Sequence, residues 1–327
     1  MKKFFYLHRT YTCRHTLIVF FLVIAVACSS KNYEAMHTKD HSASIEGRWD
    51  ITINVDGKKA PSWLEVHRSG IRTLVGEFVG TGGSARPISR LNFDNGNFSF
   101  SIPPQWEQED IDLVVSGYVI GDSLSGNMKF SNGKIYNYTG VRAPSLKRKT
   151  QPVWGKPISL FNGINLNGWH ATTGNNQWIV DSGFIRSSHN GANLETDKTF
   201  NDFKLHIEFR YPPGSNSGVY LRGRYEVQIE DLGGEEPVKN EWGSIYGFIA
   251  PSDRVSKKAG QWQYFDITLV GRMVTIVANG ITIICNQEIP GITGGAIDSN
   301  EGERGPILIQ GDHDPIDIRN VILTPAK

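Results

Sequence analysis

The sequence predicts an all-β protein whose C-terminal half is a two-sheet antiparallel sandwich. The segments in this half are short and rich in β-branched and aromatic residues, and Gly, Asn, Pro or Asp separates them. Asn279-Gly280 lies between two of them and predicts a type I′ hairpin, because that turn needs positive φ at both central residues. No segment after the N-terminal leader has a long 3.6-residue apolar period, so we expect few helices. These observations together favour the sandwich.

Residues 1–27 have the pattern of a lipoprotein signal peptide. Four basic residues precede an apolar run at 17–27, which is too short to span a membrane. The tripeptide Ala25-Val26-Ala27 before Cys28 resembles a bacterial lipobox, which implies cleavage before Cys28 and its acylation by chains such as palmitate. Cleavage nearby by ordinary signal peptidase is the alternative. The expected location is the bacterial envelope, anchored by lipid to the outer membrane on its periplasmic face or at the cell surface.

The remaining chain divides into a tether, a small domain, a linker and a larger domain. Residues 28–44 are polar and predict a tether. Residues 45–142 contain short strand-like segments, separated by turn signals such as Asp56-Gly57 and Asn95-Gly96, and predict a small antiparallel barrel or sandwich. Residues 143–152 are basic and contain proline, which suggests a linker, and the larger domain occupies 153–325.

Cysteine usage and charge exclude several classes of protein. Cys13 lies in the signal, Cys28 is the predicted lipid site, and Cys285 lies alone in an apolar segment, so neither a disulfide framework nor a cysteine metal site is expected. We expect Cys285 to be a small buried residue. The chain has 34 basic and 33 acidic residues, which gives no electrostatic case for nucleic acid binding.

The most informative segment is 216–231, in which polar side chains recur at every second residue. Because side chains of a strand alternate between its two faces, this spacing predicts one polar face and one apolar face. An ordinary solvated sheet face is the alternative. The polar set is Tyr220, Arg222, Arg224, Glu226, Gln228 and Glu230, and the apolar set is Val219, Leu221, Val227 and Ile229.

Several motifs in the C-terminal half resemble, in the same order, those of the 3-keto-disaccharide hydrolase domain family. The resemblance covers residues 153–325 and implies a concanavalin A-like jelly roll. The N-terminal part is similar to a small β-domain found in bacterial lipoprotein forms of this family. The motifs are LFNGINLNGWH at 160–170, WIVDSGFI at 178–185, NSGVYLRGRYEVQIED at 216–231, GSIYGFIAP at 243–251, GQWQYFDI at 260–267 and GPILIQGDHDPIDIRNV at 305–321.

The resemblance implies cleavage of a glycoside that a separate sugar 3-dehydrogenase has oxidised at C3. The ketone acidifies the C2 proton, a base removes it, the C1 substituent leaves by β-elimination, and water adds to the enone. Such an enzyme needs a general base, a group that stabilises the enolate oxygen, and an acid for the leaving group.

The family motifs suggest a role for each of several residues. Glu226 is the expected base or acid, Arg222 the enolate stabiliser because it stays charged, and His313 a proton-transfer residue. Gly311 and Asp314 depart from the family pattern and change the loop around His313. The expected substrate-binding residues are Gln228, Glu208, Tyr220, Asp231 and Tyr246, although Glu208 could equally form a surface pair with Arg210.

Two other functions fit the same fold. A carbohydrate-binding module would bind glycan without turnover. A laminarinase-like endoglucanase would need an ionisable residue between Glu226 and Glu230, where this chain has Gln228. No cofactor is predicted: jelly-roll proteins often hold calcium, but no ligand spacing here indicates a metal site. The N-terminal domain is expected to pack on the larger one or to form a rim of its cleft, and a sugar subsite there, or simple burial, could involve Trp63, Glu65, Trp106 and Glu107.

Overall fold

A computed structural model describes residues 44–105, 107–231 and 236–327. The described chain is all β and contains no helix. Accordingly, no helix in this part is long and apolar enough to cross a membrane. The signal peptide, the lipid site at Cys28 and Trp106 lie outside the described residues and stay predictions.

An eight-stranded antiparallel barrel forms the N-terminal part, which resolves the choice between barrel and sandwich. Consecutive strands pair along the chain, and the first strand pairs with both the second and the eighth, so the sheet closes on itself. Alternate residues face inward and fill the interior with aliphatic and aromatic side chains. The strands are β1 Gly47–Val55, β2 Lys58–Ser69, β3 Thr73–Val79, β4 Arg86–Asp94, β5 Asn97–Ile102, β6 Leu113–Ile120, β7 Ser123–Lys129 and β8 Ile135–Arg142.

Two antiparallel sheets form the C-terminal part, which confirms the predicted sandwich. The first sheet has the order β10-β13-β20-β15-β16, and its members are β10 Trp169–Ala171, β13 Leu194–Thr196, β15 Asn216–Leu221, β16 Tyr225–Glu230 and β20 Leu308–Ile309. The second has the order β11-β12-β21-β14-β17-β18-β19, with β9 beside β21; its members are β9 Ile158–Ser159, β11 Trp178–Asp181, β12 Phe184–Ser187, β14 Phe203–Arg210, β17 Gln263–Val270, β18 Met273–Ala278, β19 Ile281–Glu288 and β21 Ile316–Pro325.

The predicted Asn-Gly hairpin is confirmed in the second sheet. Asn279 and Gly280 have φ values of 49° and 88°, as a type I′ turn requires, and they connect β18 to β19. Asp56-Gly57 and Asn95-Gly96 have the same left-handed conformation in the barrel. Local turn chemistry therefore set these hairpins in both parts of the molecule.

Two details of the sequence prediction are wrong. Segment 216–231 is a hairpin of β15 and β16 rather than one continuous strand, with Arg222 in its turn at φ 55°. Cys285 is exposed rather than buried. The pairing of β18 with β19 shifts register twice near this cysteine, which breaks the regular alternation of faces on which its predicted burial rested.

The barrel packs against the sandwich through an apolar contact. Trp63, Val79 and Ala85 of the barrel belong to the same buried cluster as the sandwich core. The ring of Trp63 meets that of Phe248 edge to face, with centroids 5.2 Å apart. Trp63 is therefore buried in the contact between the two parts. Of its two predicted roles, a sugar subsite or simple burial, the structure agrees with burial.

A buried polar cluster lies in the same contact. Asp50 of β1 is 3% exposed and Glu301 of the sandwich is fully buried. Arg272 Nε and Tyr225 Oη donate to Glu301 Oε1 at 3.2 and 2.9 Å. Burial, followed by the negative charge of Glu301, raises the pKa of Asp50 far above the ordinary range of an aspartate. The neutral form of Asp50 is therefore favoured, and in that form it can donate a hydrogen bond to Glu301.

This cluster predicts a stability loss at alkaline pH. A carboxyl with a raised folded-state pKa stabilises the fold at low pH, and that stability is lost as pH rises through the raised pKa. Asp50→Asn keeps a neutral group there, so we expect its melting temperature at pH 9 to exceed that of the unsubstituted protein by about 3 °C or more. At pH 6 the advantage should be smaller, because the loss accumulates from the unfolded-state pKa of an aspartate, about 4, up to the raised folded-state pKa. Thermal unfolding at both pH values tests this.

Asp94→Asn is the matched control, because Asp94 is an exposed carboxylate on the same barrel. Its effect should be small and similar at pH 6 and pH 9. An Asp50→Asn variant that is equally destabilised at both pH values would show that Asp50 is ionised in the folded protein.

Candidate active site

The β15–β16 hairpin forms the floor of a pocket of about 270 Å³. Tyr220 pairs with Glu226 and Gly218 with Gln228, so these residues share one face of the hairpin. The opposite face, with Val219, Leu221, Val227 and Ile229, is buried in the sandwich core. The alternation predicted from the sequence is therefore correct within each strand, and the pocket lining is Thr81, Gly82, Gly83, Asn216, Tyr220, Glu226, Gln228, Tyr246, Gly294, Gly295, Gln310, Asp312 and His313.

Glu226 is a buried carboxyl at the centre of this floor, with only 3% of its surface exposed. Burial raises the pKa of Glu226 to about 8, against the opposing effects of the Tyr220 hydroxyl and the positive charge of His313. When the amide of Gln228 is turned with its nitrogen toward Glu226, it donates to Oε1 at 3.1 Å. The carboxyl therefore accepts from a neutral amide and titrates near physiological pH.

Gly218 gives Glu226 its space. A Cβ atom at Gly218 would lie 2.3 Å from Glu226 Oε1, so any other residue would displace the carboxyl. Tyr220 borders the other side of Glu226, and its hydroxyl donates to the carbonyl of Gly294 at 3.0 Å. Cross-strand neighbours on the hairpin thus hold the glutamate in position.

A loop after β20 brings His313 to the rim. The backbone N–H of Gln310 donates to Gly218 O at 2.9 Å and ties this loop to the hairpin. His313 Nδ1 lies 2.8 Å from Asp312 Oδ1. This contact raises the pKa of His313 and lowers that of Asp312. The side chain of His313 is about half exposed, so it can exchange protons with solvent and reach a bound ligand.

A second loop carries Tyr246 to the pocket and covers the edge of β16. The backbone N–H of Tyr246 donates to Glu226 O, and that of Gly243 to Gln228 O, at 3.0 and 2.9 Å. Burial, with the nearby carboxylates of Glu226 and Glu230, raises the pKa of Tyr246 to about 12. Its hydroxyl consequently stays protonated and can donate a hydrogen bond.

Three predicted site residues do not line the pocket. Arg222 is fully buried in the hairpin turn, where it donates to Tyr225 Oη at 3.0 Å and to Gly271 O at 2.9 Å. Glu208 lies in the other sheet and accepts from Arg319 at 2.6 Å. Asp231 accepts from the backbone N–H of Gly214 at 3.0 Å. The spacing placed the guanidinium of Arg222 on the polar face on the assumption of a continuous strand. The turn at Arg222 interrupts that strand, so the alternation does not apply to this residue.

The sequence prediction missed other pocket residues. Asn216 continues the alternation of the polar face and Asp312 adjoins His313, so both had a local signal. Gln310 and Gly294-Gly295 come from loops, and no local sequence pattern indicated that they line the pocket. Among the aromatic residues of the sandwich, Tyr220 and Tyr246 line the pocket, whereas Trp169, Trp178 and Trp242 are buried in the core.

The described residues contain no group of three or more His, Cys, Asp or Glu side chains placed to hold a metal ion. What the pocket does offer is a buried carboxyl of raised pKa, an imidazole, phenol hydroxyls and amides. This combination suits proton transfer on a neutral polar ligand such as a carbohydrate.

Several proteins of known structure are similar to part of this chain. A protein from Parabacteroides distasonis proposed to be a glycosyl hydrolase is 27% identical over 56% of this chain and 96% of its own, with a TM-score of 0.46. A second such protein from that organism is 16% identical over 52% and 94%, with a TM-score of 0.45. A carbohydrate-binding module from Bacillus subtilis is 12% identical over 47% and 93%, with a TM-score of 0.34.

No curated protein matches the chain. The sequence profile of the 3-keto-alpha-glucoside-1,2-lyase-like domain matches residues 156–324, which is just over half of the chain and includes the floor of the pocket and the loops of Tyr246 and His313. The protein therefore belongs to the 3-keto-alpha-glucoside-1,2-lyase-like domain family.

Proposed function

We propose that this protein cleaves 3-keto-glycosides by abstraction of the C2 proton, β-elimination at C1 and hydration. The observation that carries this proposal is Glu226, a buried carboxyl at the floor of the pocket whose pKa of about 8 lies well above that of an exposed glutamate. A carbon acid beside a ketone is weak, and a base of higher pKa removes its proton more effectively. The family and its glycosyl hydrolase-like neighbours support a glycan substrate.

In the first step, the ionised carboxylate of Glu226 takes the proton from C2. The C2–H electron pair forms the C2=C3 double bond, and the carbonyl electrons move to the oxygen on C3. This enolate oxygen needs a hydrogen-bond donor. We assign that role to Tyr246, because its hydroxyl stays protonated and its backbone N–H is bonded to Glu226 O. Arg222, which lies outside the pocket, has no part in this step.

In the second step, the enolate electrons return, the C1–O bond breaks and a C1=C2 double bond forms conjugated with the ketone. His313 protonates the departing oxygen, since its contact with Asp312 favours the imidazolium form. Water then adds its oxygen to C1 and a proton to C2. The net reaction consumes one water and yields a free 3-keto sugar and the released alcohol or sugar. The ketone must come from a separate sugar 3-dehydrogenase.

Replacement of Glu226 tests the base directly. Glu226→Gln cannot accept the C2 proton, so we expect kcat on a 3-keto-disaccharide to fall by about 10²- to 10⁴-fold with the fold intact. The measurement is the release of the aglycone sugar, monitored by chromatography. Glu230→Gln makes the same chemical change on the same strand outside the pocket and should stay within a few-fold of the unsubstituted protein.

The unoxidised parent disaccharide distinguishes the alternatives. Its cleavage would indicate a conventional glycosidase, and binding without cleavage of either compound would indicate a carbohydrate-binding module.

The pH profile tests the direction of proton transfer. In His313→Gln the imidazolium is gone, and we expect kcat/KM to fall by about 10²-fold or more. The remaining activity should rise with pH through about 8 or slightly above, as Glu226 ionises and the favourable charge of His313 is missing. A profile that falls through this range would make Glu226 an acid.

The enolate stabiliser is tested by Tyr246→Phe, which removes the hydroxyl and keeps the ring. Because the hydrogen bond strengthens only as charge develops on the C3 oxygen, kcat should fall by about 10²-fold while KM changes little. A rise in KM with unchanged kcat would instead assign Tyr246 to ground-state binding of the sugar.

A further inference from the structure

A loop of the barrel forms one wall of the pocket. Thr81, Gly82 and Gly83 lie between β3 and β4, and all three line the same cavity as Glu226. The family match begins at residue 156, so this wall comes from outside the family domain. The cavity therefore includes residues from both parts of the molecule.

Close backbone contacts seat the loop on the sandwich. A Cβ atom at Gly294 would lie 2.1 Å from Gly83 O, and one at Gly247 would lie 2.6 Å from the backbone nitrogen of Ala85. Val79 and Ala85, which flank the loop, are buried in the sandwich core. Such contacts fix the position of the wall more firmly than flexible side chains would.

Gly82 and Gly83 both line the wall, but the backbone conformation favours glycine only at Gly83. Gly83 has a φ of 79°, a conformation that favours glycine, and its carbonyl oxygen lies against Gly294. Gly82 is outside the left-handed region, and a Cβ atom there would meet nothing within 4 Å. The fold does not require glycine at Gly82. A side chain at Gly82 would occupy open space beside the pocket that this residue lines.

We propose that the 81–83 loop is a specificity-determining wall of the substrate site and limits the pocket to a single sugar ring. The volume of about 270 Å³ is just below the range of pockets for drug-sized ligands, which fits one ring better than a glycan chain. The Thr81 hydroxyl and the peptide groups of Gly82 and Gly83 offer neutral partners for sugar hydroxyls. This inference rests on the proposed function for the identity of the sugar.

Gly82→Trp tests the wall because the added side chain enters open space rather than the core. For a 3-keto-disaccharide we expect kcat/KM to fall by 10-fold or more, mainly through KM, with an unchanged melting temperature. Ile71→Trp is the matched control: it adds an indole to an exposed turn at the other end of β3. This control should leave both kinetic constants unchanged. Equal kinetic constants for Gly82→Trp and the unsubstituted protein would contradict the proposed role of the 81–83 loop in specificity. The proposed function would not be affected by that result.

Backbone amide NMR keeps the test independent of turnover. During titration with the unoxidised disaccharide, the amides of Thr81, Gly82 and Gly83 should shift together with those of the hairpin, and the amide of Ile71 should not. If no 3-keto compound is cleaved, the proposed function fails, yet these shifts would still support the wall. Shifts confined to the hairpin would refute it.

Discussion

Burial of the β15–β16 hairpin on both faces is the constraint on which the site depends. One face belongs to the sandwich core, where Val219 and Val227 are fully buried. The other face is covered by the loops of Tyr246 and His313 and by the barrel, so that Glu226 is removed from water. The cost of ionising a carboxyl in such surroundings raises its pKa, and this gives a glutamate the strength of base that the proposed chemistry needs.

The same hairpin shows how an arginine can be near the pocket residues in sequence and yet lie outside the pocket lining. Arg222 ends β15 in a left-handed conformation, and its guanidinium turns to Tyr225 and Gly271 instead of to the pocket. It is thereby linked to the buried cluster of Tyr225, Glu301 and Asp50 that joins the barrel to the sandwich. Its guanidinium therefore packs within the sandwich, at the turn of the hairpin and outside the pocket lining.

That contact gives the barrel a place beside the active site. Trp63 supplies apolar burial, Asp50 and Glu301 supply a buried hydrogen bond, and glycines at 83, 247 and 294 let the backbones approach closely. Each of these features holds the β3–β4 loop against the pocket. The barrel and the sandwich therefore meet with close complementarity at this edge.

Four features could be predicted from the amino-acid sequence alone: the all-β class, the Asn-Gly and Asp-Gly hairpins, the family, and the polar face carrying Glu226 and Gln228. These depend on local properties: turn residues that tolerate positive φ, and alternation within a strand. Three other features follow from the three-dimensional packing: Arg222 points away from the pocket, Cys285 is exposed beside two register shifts, and Gly82 lines the same cavity as Glu226. These outcomes depend on the end of a strand, on irregular pairing and on contacts between residues far apart in the chain, none of which leaves a periodic trace in the sequence.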